Sequence, residues 1–296
     1  MMVFFKAKRL NTIFTSGAIL VSLSACNGAG ATSGLSNGTQ NSSAPTLTGT
    51  GSSGPVATNS PPTEKPPRNY KIDALLFSGS GTWSIEVASL EDILTSHGVS
   101  FQKVTSAEMN TMNVADFANF GLLIFPGGSG GTQAGSLSSA TKAALREAVQ
   151  VRGVSYVGFC AGAFIAVAPK PAAGKDVSYG LGIVPGSELE YYYLENQGVP
   201  MAMTKNTFAD GTSRDVLWYG GPMTPNTPGT VVAKYPDGSP AISEMWSGNG
   251  FVMISGPHPA APPAAKAGFN DSDGADYDLA WTLMSAALHQ QPLPVF

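Results

Sequence analysis

Charge is scarce in this chain, at 12% of residues, and the balance is acidic, with 16 Lys and Arg against 20 Asp and Glu. A formal charge of -4 argues against nucleic-acid binding, which calls for a basic footprint. Cysteine is nearly absent too, with only Cys26 and Cys160, so at most one disulfide could form. Histidine occurs three times, at His97, His258 and His289, which leaves little material for a metal centre, and none is expected. No apolar run is long enough to span a bilayer, which needs roughly 20 residues.

The nearest approach is an apolar stretch from Ile13 to Leu23, preceded by Lys6, Lys8 and Arg9. Residues 1–25 read as an export signal. The signal closes on Leu23-Ser24-Ala25-Cys26, which resembles the bacterial lipobox. That resemblance implies acylation of Cys26 and its exposure as the first residue after cleavage. The membrane partner is then a lipid anchor, and acyl chains at roughly 0.8 kcal/mol per buried CH₂ hold a protein without a spanning helix. Asn27 after the cysteine points to the outer membrane of a bacterial envelope. Loss of the signal removes three basic residues and no acidic one, giving 13 - 20 = -7.

Residues 27–69 are mostly Gly, Ser, Thr, Ala, Asn and Pro, with Leu35, Leu47 and Val56 as the larger apolar side chains. Such a segment cannot bury a core, and a disordered tether spanning about 35–40 Å is expected. Residues 70–296 suit one large α/β domain. Apolar runs at 71–77, 121–125 and 154–159 alternate with a helical repeat at Val87, Leu90, Leu94 and His97 that stops at Gly98, a short strand around 101–104, and a helical pattern near 139–151. This predicts a flavodoxin-like, mostly parallel sheet with helices on both faces. Further strands are expected near 216–219, 230–235, 241–246 and 250–254, and a last helix over 276–289.

Ligands bind beyond the carboxyl ends of strands in open parallel sheets. Three Gly-rich segments fall at such ends: SGSGT (78–82), PGGSGG (126–131) and GFCAGAF (158–164). In the third, a strand stops at Phe159, Cys160 takes the turn, and Ala161, Gly162 and Ala163 allow a helix to start at once. That is the layout of a nucleophile elbow with cysteine in place of serine. Free N–H groups and the helix dipole there favour a thiolate, and a partly exposed thiol is expected. A buried inert thiol is the competing reading. His258, after the strand that ends in ISGPHP (254–259), can reach the same rim as a base, whereas His97 and His289 sit at helix ends.

The PGG at 126–128, GFCAGAF at 158–164 and SGPHP at 255–259 together resemble the class I glutamine-amidotransferase superfamily. Within it, the likeness is greatest to the domain at the N-terminus of eukaryotic biotin–protein ligases and in stand-alone bacterial proteins. Tyr219-Gly220-Gly221 is similar to an aromatic-Gly-Gly stretch of that group. The resemblance implies Cys160 as nucleophile, His258 as base, and an oxyanion site from the N–H of Ala161 with that of Gly127 or Gly128. It departs at Ala260, where the family carries a glutamate two residues after the histidine. Glu86, at a position where relatives keep a glutamate near their cysteine, is one candidate third member, and Glu244 and Asp271 are others. No cofactor is expected, and the ligand is an unidentified small molecule or peptide. A cysteine amidohydrolase and a non-catalytic binding protein both remain open. Tyr191, Tyr192 and Tyr193 suggest a stacking wall or an aromatic patch. The acidic run 270–278 fails the spacing of a calcium loop.

Overall fold

The computed structural model describes residues 57–167, 180–184 and 189–296, so the expected signal, Cys26 and the first part of the tether lie outside the described residues. The strands in chain order are β1 (Ala57–Thr58), β2 (Ile72–Phe77), β3 (Phe101–Val104), β4 (Phe120–Phe125), β5 (Ser155–Phe159), β6 (Ala202–Phe208), β7 (Ser213–Trp218), β8 (Val231–Lys234), β9 (Pro240–Ser247) and β10 (Gly250–Ser255). The helices are α1 (Ser84–Ser96), α2 (Ser106–Met109), α3 (Val114–Phe117), α4 (Gly130–Gly135), α5 (Ser139–Gln150), α6 (Ala161–Ala166) and α7 (Tyr277–His289).

The apolar runs become central strands because alternate side chains enter two separate cores. Ala74 and Leu76 of β2 pack on one face, and Leu75 and Phe77 on the other. The same split divides Leu122 and Ile124 from Leu123 and Phe125 in β4, and Phe251 and Met253 from Val252 and Ile254 in β10. Helices α1 and α7 cover the first face through Leu90, Leu94, Leu283 and Met284. Helices α5 and α6 cover the second through Leu145, Val149 and Ile165. Truncating a fully buried residue such as Leu90 to alanine costs about 2–5 kcal/mol.

The sheet runs β3-β2-β4-β5-β10-β9-β8-β6-β7, with β1 against β9. Its first five strands are parallel and follow the flavodoxin-like order, second strand outermost. The expected mostly parallel sheet is corrected to a mixed one, with four parallel pairings and five antiparallel. The reason is local: β6 and β7 are joined by four residues and β9 and β10 by two, and links that short permit only antiparallel neighbours. Strand β6 was not foreseen. Its inward positions include Thr204 and Asn206, both buried, so its sequence carries no apolar alternation.

The domain also begins earlier than Tyr70. Thr58 pairs with Trp246, the Lys65 ammonium lies 3.7 Å from the centre of the Trp246 ring, and Arg68 donates to Leu288 O at 2.6 Å and Gly121 O at 2.5 Å. These contacts use backbone, cation–π and guanidinium–carbonyl bonding, which a search for apolar residues does not detect.

Candidate active site

The elbow around Cys160 owes its sequence to close packing. A Cβ on Gly162 would stand 2.1 Å from Phe125 O, and one on Gly158 would stand 2.5 Å from the Gly162 backbone. Only glycines let β5 turn into α6 this close to β4. Cys160 itself holds φ 46° and ψ -100°, a region costing about 1–3 kcal/mol for a residue with a side chain. Its N–H donates to Ser255 O at 2.7 Å, its carbonyl accepts from Phe164 N at 3.0 Å, and Tyr156 Oη locks the helix by donating to Gly162 O at 2.7 Å. The surrounding bonds thus over-determine a strained turn. The thiol is 4% exposed, not partly exposed as expected, because the loop after β7 closes over it. Its Sγ lies 3.5 Å from Tyr219 O.

Parallel register brings the partner residues to the same rim. Ser255 at the end of β10 pairs with Phe159 at the end of β5, and the chain then turns so that His258 N donates to Leu217 O at 2.7 Å. His258 Nδ1 is 2.9 Å from Glu86 Oε1, and the other carboxylate oxygen accepts from Gly127 N at 2.5 Å. Both side chains are buried, Glu86 at 0% exposure. Burial opposes charge on the imidazole. The Glu86 carboxylate and then Cys160 outweigh it, holding the His258 pKa well above the usual value. Nε2 has no partner in good hydrogen-bond geometry, yet Cys160 is near enough to stabilise the charged ring. A buried ring nitrogen without a partner, beside a thiol, is positioned for proton exchange with it.

Glu86 therefore supplies a carboxylate to His258 that Ala260, two residues after it, cannot. Ala260 is fully buried in the apolar core. The other two candidates lie in different bonds. Glu244 accepts from Leu293 N, with its pKa pushed up to about 7 by burial, and Asp271 accepts from Lys266 Nζ at 3.1 Å. His97 bonds Ile93 O and stacks on Trp281, while His289 is exposed.

The PGG loop serves this pair. A Cβ on Gly127 would meet His258 Cε1 at 2.3 Å, so glycine is what allows the ring to seat. The N–H of Gly127 is engaged by Glu86, which leaves Gly128 and Ala161 of the expected oxyanion donors. Gly128, at φ 134°, lies against the SGSGT loop: Ser129 N donates to Gly81 O and Trp83 N to Gly127 O, each at 2.8 Å. Gln133, fully buried, donates from Nε2 to Pro126 O at 3.0 Å and Gly127 O at 3.3 Å.

Gln133 and Trp83 were not picked out from the sequence. Trp83 packs edge-on to His258, with centroids 5.2 Å apart, and is the N-cap of α1 without any side-chain capping bond. A tryptophan where Ser, Thr or Asp is preferred was the available signal. Of the three tyrosines, Tyr192 is buried and stacks on Tyr235 at 3.8 Å, while Tyr191 and Tyr193 are exposed. The acidic run 270–278 holds a lysine instead of an ion: Lys266 Nζ bonds Asp271, Gly274 O at 2.8 Å and Asp276 at 2.5 Å. Among the described residues no group of three or more His, Cys, Asp or Glu could hold a metal ion.

No family model and no curated protein matches the chain. Several solved structures are similar to it at low identity. One is a glutamine amidotransferase, at 16% identity, TM-score 0.49, over 72% of this chain and 98% of that one. Another is a GMP synthase subunit from Thermoplasma acidophilum, at 14% identity and TM-score 0.44, over 75% and 98%. A cytoplasmic protein from Salmonella typhimurium matches at 11% identity and TM-score 0.47, over 72% and 98%.

Proposed function

We propose that this domain is a cysteine-dependent amidase-type hydrolase of a small amide or peptide, carried by an envelope lipoprotein anchored through Cys26. The observation that carries the reading is the contact of Glu86 Oε1 with His258 Nδ1 at 2.9 Å. It supplies the orienting carboxylate that Ala260 cannot, and so completes a Cys160–His258–Glu86 relay. In this reading the Cys160 thiol gives its proton to His258 Nε2 and adds to the substrate carbonyl. The oxygen that becomes negative is met by the N–H groups of Gly128 and Ala161. The imidazolium returns the proton to the leaving nitrogen as the C–N bond breaks, and an acyl thioester remains. Water then attacks it, giving a proton to His258, and the acid leaves as the thiol is restored.

The burial of Cys160 favours a second reading, in which the same pocket binds a ligand without turning it over. Ammonia release from glutamine, asparagine and short peptide amides separates the two. The hydrolase reading expects release that falls by about 10³-fold or more in Cys160→Ala, as removal of a nucleophile does. Release that Cys160→Ala leaves intact, or a folded-state thiol inert to iodoacetamide up to pH 9, would leave only the binding reading.

A further inference from the structure

The mouth of the site is aromatic on one side. Trp83 and Tyr219 meet edge to face, with centroids 5.8 Å apart at 76°, and both rings lean on His258, at 5.2 and 6.4 Å. Tyr219 remains 42% exposed although its own carbonyl touches the nucleophile, and Trp83 is half-buried. Two large rings in contact with His258 are thus kept partly in water. A carboxylate accompanies them: Glu195 Oε2 would lie 3.5 Å from a Cβ placed on Gly220, the residue after Tyr219. Glu195 itself is exposed. Aromatic faces carry negative quadrupole charge and attract cations lying within about 6 Å of the ring centre. A carboxylate at the same corner adds to that preference, whereas a neutral apolar group would gain nothing from it.

We infer that the amide handled at Cys160 carries a positively charged amino or guanidino group, which docks in the Trp83–Tyr219 corner with Glu195 as its counter-charge. This rests on the hydrolase reading, because it names the substrate class of that site. The His258 imidazolium does not oppose it, since the Glu86 carboxylate at 2.9 Å already balances that charge. The acidic character of the whole chain, at -4, works in the same direction on approach.

Amino-acid chloromethyl ketones test the inference, because the thiolate displaces chloride to form a stable thioether. The full chain is treated with the lysine, leucine and glutamate compounds, and modification of Cys160 is read by mass spectrometry of its peptide, separately from Cys26. Each rate is divided by that of iodoacetamide on the same protein. The lysine compound is expected to react at least about ten-fold faster than the glutamate one, with leucine between. That preference should drop by about three- to ten-fold in Trp83→Leu and in Glu195→Gln. Glu195 lies on the surface, so its variant reports even if Trp83→Leu misfolds. Equal rates, or a preference for leucine, would overturn the cationic assignment and make the corner a plain apolar wall. Failure of every compound to modify Cys160 in the folded chain, with ready modification after denaturation, would remove the hydrolase reading and this inference with it.

Discussion

Glu86→Gln isolates the contact on which the site depends. In the native protein two buried donors, Gly127 N–H and His258 Nδ1–H, each have their own carboxylate oxygen. A carboxamide of the same shape has one oxygen, so one donor loses its acceptor and faces an NH₂ instead. Removing one partner of a buried charged pair costs about 3–5 kcal/mol, and the acceptor that glutamine retains sets the expectation near the lower end, about 3 kcal/mol. At about 2–4 °C per kcal/mol for a domain of this size, the midpoint should fall by about 6–12 °C. The effect has a pH signature. His258 has a folded pKa well above the roughly 6.5 of unfolded histidine, so its stabilisation is complete below that pH. It fades as pH rises through the folded value. Urea unfolding followed by tryptophan fluorescence should give the largest difference between wild type and Glu86→Gln near pH 6, shrinking towards pH 10. A difference below about 1 kcal/mol that is the same at pH 6 and pH 9 would refute the coupling.

Cys160→Gly should be more stable than Cys160→Ala by about 1 kcal/mol in urea, because glycine adopts φ 46° and ψ -100° without strain. Ala260→Glu should lower the melting temperature sharply and not raise any activity, since it buries a carboxylate in an apolar core while Glu86 already holds His258 Nδ1. If activity rises and stability holds, Glu86 is not the third member. Cys26→Ser should move the protein from the membrane to the soluble fraction, and unchanged fractionation and migration would remove the lipid anchor.

The parallel half of the fold was legible because both faces of β2, β4, β5 and β10 are buried, which writes continuous apolar runs into the sequence. The antiparallel half was less so. Strand β6 places Thr204 and Asn206 inward, and the segment 57–69 attaches through backbone pairing, Lys65 and Arg68 rather than through apolar side chains. At the site, the glycines and Cys160 announced themselves because close packing and strain restrict residue type at those positions. Glu86 could be proposed only as one of several carboxylates. Its partner lies 172 residues away, and nothing local distinguishes a glutamate that points inward from the first turn of a helix. Trp83 was missed for the same reason, since it packs on His258, which is remote in the chain.

The relay is drawn from the first, fourth and last strands of the parallel half, at residues 86, 160 and 258. A chain emerging from its amino end therefore carries Cys160 for a further 98 residues before His258 is made. On the hydrolase reading, reactivity becomes possible only when β10 slots in beside β5, so the chemistry itself would report that assembly is complete.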